Sequence, residues 1–368
     1  MNIFPFNAAF PKVDLITSPK SFFSNIKYQY REYRRSGFYE DAPKKGLYVY
    51  QVHGAHGKHT GLICSTNVSD LTDGIVLKHE KTLASKEQQM MHLLLKRKAL
   101  VKPVLLAYHS VNKIDKILND HIDNNEPIVD VTFKEKKERH FVWAITAKGM
   151  IAKLTKLFAS VPKSYIGDGH HRTTTVALLN QSQDLGDDAK KYSRLLTAYF
   201  PFSELEILDY NRVIDIAEII TGTKFMAKLS KYFEIKQFSR ACKPKEKHNV
   251  TMYIDEHWYK LKWRKKYIVS EKKEGPILDS ALINKYVFGK ILGIEDVRVD
   301  QRIKYYSGLE PYRKVTKQVN RGELGVGFFI LPVTSKELTK IADQGQVLPP
   351  KSTWFEPRLV SGIIAKDL

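Results

Sequence analysis

Apolar residues come along this chain in short bursts with two different periods. Val104-Leu105-Leu106-Ala107-Tyr108 is an unbroken run behind Pro103, the pattern of a strand buried on both faces. Leu47 to Val52 and Gly61 to Cys64 read as the arms of a hairpin. Ile128 to Phe133 and His140 to Thr146 read as an antiparallel pair around the charged turn Lys134 to Arg139. Helical spacing predicts helices over Ser24–Arg35, Ile114–Ile122, Lys148–Ala159, Leu278–Leu292 and Ser335–Asp343, the last with Ser335 as cap. Another runs through Met90, Met91, Leu94 and Leu95 to about Ala99, with Ser85 and Gln88 in a capping-box pattern. After the polar segment Gln181 to Asp188 a helix is expected to about Leu196, then strands at Leu196–Phe202, Thr251–Ile254, Tyr259–Trp263 and Gly327–Leu331. Strands and helices are mixed rather than strictly alternating, so the fold class is α+β.

The densest chemistry lies in Ser164-Tyr165-Ile166-Gly167-Asp168-Gly169-His170-His171-Arg172, followed by Thr173-Thr174-Thr175-Val176-Ala177-Leu178-Leu179. It reads as a short strand, a glycine turn and the first turns of a helix. Such a helix start points N–H groups at whatever lies over the turn, which makes it an anion site. Arg172 adds a fork suited to phosphate oxygens. Asp168 adds a carboxylate, and His170 and His171 can hold or donate protons. The plain structural alternative is a common Asp-Gly turn with Asp168 as a helix cap.

Composition narrows the classes. The chain has 368 residues, a hydrophobic fraction of 43% and a formal net charge of +20. That length suggests about two domains: an N-terminal arm over 1–45, a core over 46–200 with an inserted segment near 114–159, and a C-terminal α+β region over 201–368. No apolar run approaches the ~18 residues of a membrane span, and no secretion signal is visible. With two cysteines, Cys64 and Cys242, the chain fits a reducing cytoplasm and not a disulfide framework. The lysines are spread out, so a solvated surface and anionic small substrates account for the charge ahead of DNA or RNA. The run Lys260 to Lys266 suggests an exposed strand whose lysines guard a sheet edge. His53, His56 and His59 share a glycine-rich loop; they read first as hairpin-tip residues and second as metal ligands. Lys351-Ser352-Thr353-Trp354-Phe355-Glu356-Pro357-Arg358 is a candidate second anion-holding turn, with Lys351, Ser352, Thr353 and Arg358 as its donors. Equally it is a packed turn with Trp354 and Phe355 buried.

The segment Asp168 to Arg172 resembles the signature of the bacterial "domain of unknown function 1015" family. So do His79-Glu80-Lys81-Thr82, Leu208 to Ile214, Val299 to Tyr305, and Lys351 to Arg358 with Ser361-Gly362. The matches come in order over nearly the whole chain. A more distant resemblance is to the ParB and sulfiredoxin superfamily, whose strand, glycine turn and helix grip nucleotide phosphates. In sulfiredoxins the catalytic cysteine stands where this chain has His170, so that repair chemistry does not carry over. The ParB turn reads Gly-Glu-Arg-Arg, of which only Gly169 and Arg172 are kept, and no helix-turn-helix is evident.

The order of segments also resembles the free serine kinase branch. There a His-Glu pair, a helix, a proline-led strand and an Asp-Gly turn with His-Arg follow in that order, as do His79-Glu80, the helix to Ala99, Pro103 and Asp168–Arg172 here. Two departures stand out: the long segment between Pro103 and the turn, and Thr174 where many relatives of the first family carry Glu. The resemblance implies a ParB/sulfiredoxin-like nucleotide-binding core with insertions. It also implies a phosphotransferase using ATP or ADP on a small hydroxyl substrate, with free L-serine foremost. Glu80, His79 and Asp168 would form the catalytic group. Gly169, His170, His171, Arg172 and Thr173 would hold the nucleotide phosphates, and Asp168 would help hold Mg²⁺. The alternative it leaves open is a non-catalytic, nucleotide-binding regulator.

Overall fold

The computed structural model describes residues 1–55, 57–270 and 275–368. Two units divide the chain: Met1–Glu206 together with Pro357–Leu368, and Ile207–Glu356. The first contains α1 (Pro19–Arg35), β1 (Leu47–Gly54), β2 (Gly57–Asn67), β3 (Val76–Leu77), α2 (Ala84–Arg97), β4 (Val104–Tyr108) and α3 (Asn112–Asp123). It continues through β5 (Val129–Phe133), β6 (Glu138–Ile145), α4 (Lys148–Ala159), β7 (Ser164–Asp168), α5 (His170–Asn180) and β8 (Arg194–Pro201). The strands form one mixed sheet in the order β3-β7-β4-β8-β2-β1-β6-β5, with Ile3–Phe4 paired on β2.

Burial explains the order. All five residues of β4 are buried, and β4 sits inside the sheet, antiparallel to β7 and parallel to β8. At the far edge, β5 alternates buried Val129, Val131 and Phe133 with exposed Asp130 and Thr132, as a strand with one wet face should. Helices pack in pairs, α2 with α5 and α3 with α4.

Local signals set several boundaries differently from the sequence reading. Helix α1 begins earlier than Ser24, because Ser18 accepts the Ser21 N–H at 3.4 Å and Pro19 takes the first helical position. Ser85 is no cap: the N-cap position of α2 is Leu83, no side chain caps it, and Ser85 is already helical. The helix expected toward Leu196 is a kinked 3₁₀ segment over Gln183–Tyr192, and Arg194–Pro201 is drawn into the sheet as β8 by pairing with β2 and β4. The C-terminus returns to this unit. Lys366–Asp367 pairs with Ala99–Leu100, and Asp367 accepts hydrogen bonds from Tyr30 and Arg34, each at 2.8 Å.

The second unit contains β9 (Tyr210–Asp215), α6 (Gly222–Ser230), β10 (Phe233–Phe238), β11 (Asn249–Ile254), β12 (His257–Trp263), α7 (Ile283–Ile291, with π-helical pairing), β13 (Ile303–Ser307), α8 (Tyr312–Val319), β14 (Gly325–Phe329) and α9 (Ser335–Asp343). Its antiparallel sheet runs β10-β12-β11-β14-β9-β13. Phe225, Leu229, Tyr286 and Phe288 belong to its main core, while Val315 and Val319 of α8 pack with Val213, Tyr253 and Phe329. Lys260 and Lys262 do not guard an edge. They lie on β12, between β10 and β11, exposed on one face while Leu261 and Trp263 are buried on the other. The cap of α9 is Thr334, not Ser335: Thr334 and Glu337 form a reciprocal capping box. Mixed helices and sheets in both units make this an α+β protein. Among the described residues no helix is long and apolar enough to cross a membrane.

Candidate functional site

The turn between β7 and α5 is built by one backbone constraint. Gly169 is the N-cap residue of α5, with φ +113°, and a Cβ there would lie 2.6 Å from Arg172 Nη2. Only glycine meets both conditions without strain. No side chain caps α5 and no acid stands in its first turn. By helix geometry the first-turn N–H groups have no intrahelical acceptor. Eleven residues of helix stand behind them.

Asp168 turns away from the helix start, so the capping alternative does not hold. Its Oδ2 accepts from Arg172 Nη2 at 2.9 Å and pairs with Lys102 Nζ at 3.4 Å, and its Oδ1 accepts from Arg358 Nη1 at 2.8 Å. These four side chains are each about a quarter exposed. Burial works to raise the Asp168 pKa, but the three cations outweigh it and hold the carboxyl far below the usual carboxylate range. Burial also pushes the Lys102 ammonium down to about 8; Arg172 adds to this and Asp168 opposes it. Arg172 also donates to the carbonyls of Pro103 and Asp168, both at 3.3 Å. The antiparallel register that places Leu105 opposite Asp168 brings Lys102 and Pro103 to the turn.

On the other side stand the histidines. Burial pushes the His170 imidazole down to about 3, and His79, with no exposed surface, lies well below its ordinary value for the same reason. Their rings meet edge to face at 4.6 Å. His170 Nε2 accepts the His79 backbone N–H at 3.5 Å, which leaves the proton of the neutral ring on Nδ1, 3.8 Å from Glu80 Oε2. His171 is partly exposed in the first turn of α5.

Most of the expected residues thus meet: Glu80, Asp168, Gly169, His170, His171 and Arg172. Three depart from their expected roles. His79 is a buried support behind His170, not a group at the surface of the site. Thr173 is buried, and its hydroxyl donates back to the Gly169 carbonyl at 3.1 Å, so it does not present a phosphate donor. Asp168 does not fit Mg²⁺, because both its oxygens are taken by cations and a hard metal wants several oxygen donors. Among the described residues no group of three or more His, Cys, Asp or Glu could hold a metal. In the hairpin loop, His53 Nε2 meets Gln51 and His59 Nδ1 meets the Glu204 carbonyl, while His56 lies outside the described residues.

The C-terminal candidate is divided. Arg358 belongs to the first unit and joins Asp168, whereas Lys351, Ser352 and Thr353 belong to the second. There the Ser352 hydroxyl donates to the Pro349 carbonyl at 2.6 Å and meets Ser280 at 2.9 Å. The Lys351 ammonium lies over the Tyr210 ring at 5.3 Å, and its carbonyl accepts from buried Arg212 at 3.2 Å. The packed-turn alternative describes these residues better. Sequence reasoning missed Lys102. Its one signal was its place just before the proline-led strand, but the register that matters is not written locally.

Fold and site together define an α+β protein with a cation-lined strand–turn–helix. The profile of the family described as "Protein of unknown function (DUF1015)" matches residues 7–282, about three quarters of the chain, and the chain belongs to that family. Comparison with curated proteins gave no match. Among solved structures the chain is similar to a free serine kinase in complex with AMP, at 13% identity and a TM-score of 0.40, covering 82% of this chain and 91% of that one. It is also similar to SbnI with a C-terminal truncation from Staphylococcus aureus, at 11% identity and a TM-score of 0.43, covering 81% and 85%. A conserved hypothetical protein from Pyrococcus furiosus matches at 12% identity and a TM-score of 0.40, covering 83% and 94%.

Proposed function

We propose that the first unit binds the phosphate groups of ATP or ADP at the Asp168–Arg172 turn and transfers a phosphoryl group to a small hydroxyl compound, with free L-serine as the first acceptor to test. The nucleotide-binding core assigned to residues 46–200 falls within this unit. The observation that carries the reading is the uncapped start of α5 beside Lys102, Arg172 and Arg358, three cations facing a single carboxylate. Phosphoryl transfer asks mainly for held phosphates and neutralised charge. Gly169 lets the backbone approach, the α5 N–H groups and His171 face the anion, and the cations offset its charge. Glu80, on the His170 side, is the proposed general base; it must reach the acceptor hydroxyl at about 3 Å or through one water. Mg²⁺ would ride on the nucleotide's own oxygens and on water, not on Asp168.

A second reading is a non-catalytic nucleotide-binding regulator. The commitment of Asp168 to its three cations favours it, since that takes one acid of the expected pair out of the chemistry. The test is transfer from labelled ATP, and separately ADP, to L-serine with Mg²⁺, comparing the native chain with Glu80→Gln. Phosphoserine formed by the native chain and lost in the variant, with nucleotide affinity kept, supports the kinase. Binding without transfer, lost in Arg172→Ala, supports the regulator. No binding of either nucleotide would end both.

A further inference from the structure

Residues 357–368 return to the first unit and carry Arg358 to Asp168. Just past the site their path is fixed. The Gly362 N–H donates to the Val101 carbonyl at 2.6 Å, and the Tyr39 hydroxyl donates to the Gly362 carbonyl at 2.7 Å. Gly362 has φ +85°, and a Cβ there would stand 2.7 Å from the Ile26 side chain. Val101 is the neighbour of Lys102, so the segment that supplies one cation of the site is tied beside a second.

Midway between Arg358 and Gly362, the Val360 N–H donates to the phenol oxygen of Tyr50. Tyr50 lies on β1, four strands from β7 in the sheet. Its hydroxyl is 2.7 Å from Nδ1 of His140 on β6, and both side chains are buried. On the other side of the imidazole, Nε2 is 3.4 Å from Glu138 Oε2. Burial works to raise the Glu138 pKa, but the hydrogen bond from His140 and the charge of Lys136 outweigh it and hold the carboxyl below its ordinary value. Glu138 is therefore an acceptor, and the imidazole proton stands on Nε2. Nδ1 then accepts from the Tyr50 hydroxyl, and the phenol oxygen keeps a lone pair for the Val360 N–H. Phe133 packs edge-on against His140 at 5.1 Å, and the Tyr50 and His140 rings lie 5.9 Å apart. A buried polar row in which each donor has its acceptor is rigid. Phenylalanine at position 50 would fill the same core without holding the returning segment.

We propose that Tyr50, held by His140, is a positioning residue of the phosphate site: it fixes Val360, and through it sets where the Arg358 guanidinium stands against Asp168 and an incoming phosphate. The proposal rests on the phosphate reading above for the ligand, whereas the link from Tyr50 to the Arg358 segment belongs to the fold.

The test joins titration calorimetry with ATP to amide hydrogen exchange, both on the full chain. Tyr50→Phe removes the hydroxyl and keeps the ring. ATP should bind this variant roughly three- to tenfold more weakly than the native chain, the size of a coupling carried by a packed network. In the Arg358→Ala background the same change should cost less than about twofold, because the group it positions is gone. Exchange should quicken over residues 357–362 and stay as it was over α5, which a general loss of stability would quicken too. An equal loss of affinity in both backgrounds, or none in the first, would overturn the proposal. Should Tyr50→Phe fail to fold, His140→Phe takes away the acceptor of the hydroxyl, keeps a ring beside Phe133, and is judged by the same criteria. If the native chain binds no ATP, the phosphate reading falls and exchange alone decides: quickening confined to 357–362 upholds the link from Tyr50 to Arg358, and unchanged exchange there ends it.

Discussion

The Asp168–Arg172 turn of the first unit and the Lys351–Thr353 turn of the second hold similar residues and spend them in opposite ways. At Asp168 a positive-φ glycine opens an uncapped helix, and side chains from three separate places in the chain converge on the turn. At Lys351 the carbonyl and the neighbouring Ser352 hydroxyl turn onto Arg212 and Pro349, while the exposed ammonium lies over the Tyr210 ring. An anion site is therefore not a matter of having a Lys, a Ser and an Arg nearby. It needs donors that the protein has not already used, held by charges it cannot satisfy alone. A buried arginine tells the same story: Arg212, with no exposed surface, donates to the Tyr210 and Lys351 carbonyls and so staples its own unit. Arg172 keeps Nε without a partner.

The strongest way to break this comparison is to remove one arginine. Arg172→Ala should weaken ATP binding by roughly 2–5 kcal/mol, the usual cost of truncating a buried charged contact, while Lys351→Ala should leave it within twofold. Calorimetry on both variants decides; similar losses would erase the distinction drawn here.

Next comes Asp168→Asn, which leaves three cations facing one another. A loss of about 3 kcal/mol in urea unfolding at pH 7 is expected. The folded Asp168 pKa is depressed, so its contribution is fully present above the unfolded value near 4 and is lost as the pH falls below that. The stability gap between native and variant should therefore shrink below about pH 4, and a gap constant to pH 3 would contradict the ion cluster.

A smaller effect is expected from Gly169→Ala. The left-handed backbone alone costs about 1–2 kcal/mol for a residue with a Cβ, and displacement of Arg172 adds weaker nucleotide binding to the lower unfolding midpoint.

Lys102 gives a test by pH. Because its folded pKa lies near 8, it is charged below and neutral above that value. ATP affinity should fall severalfold between pH 7 and 9, and Lys102→Arg should flatten the profile. A native chain with a flat profile would exclude Lys102 from the site. Smallest of all, Ser352→Ala should cost about 1 kcal/mol of stability, the worth of a typical internal hydrogen bond, with no change in ATP affinity.

The sequence by itself determined what is local. The apolar run at Val104–Tyr108, the hairpins, the helices near 114–122 and 148–159, and the strand–glycine–helix of the central turn all rest on periodicity and turn chemistry among near neighbours. The family order likewise pointed to Glu80 and to Asp168–Arg172. Only the tertiary structure decided how those groups are used. Arg358 lies 190 residues from Asp168 and reaches it because the C-terminus folds back on the first unit. Lys102 reaches the turn through strand register, which is set by which faces are buried and not by residues 100–105 themselves. The burial that keeps His79 and His170 neutral, turns Thr173 inward and spends Ser352 on its own turn is likewise a property of packing. Residue type states what a side chain can do; its surroundings decide which of those capacities remain for a ligand.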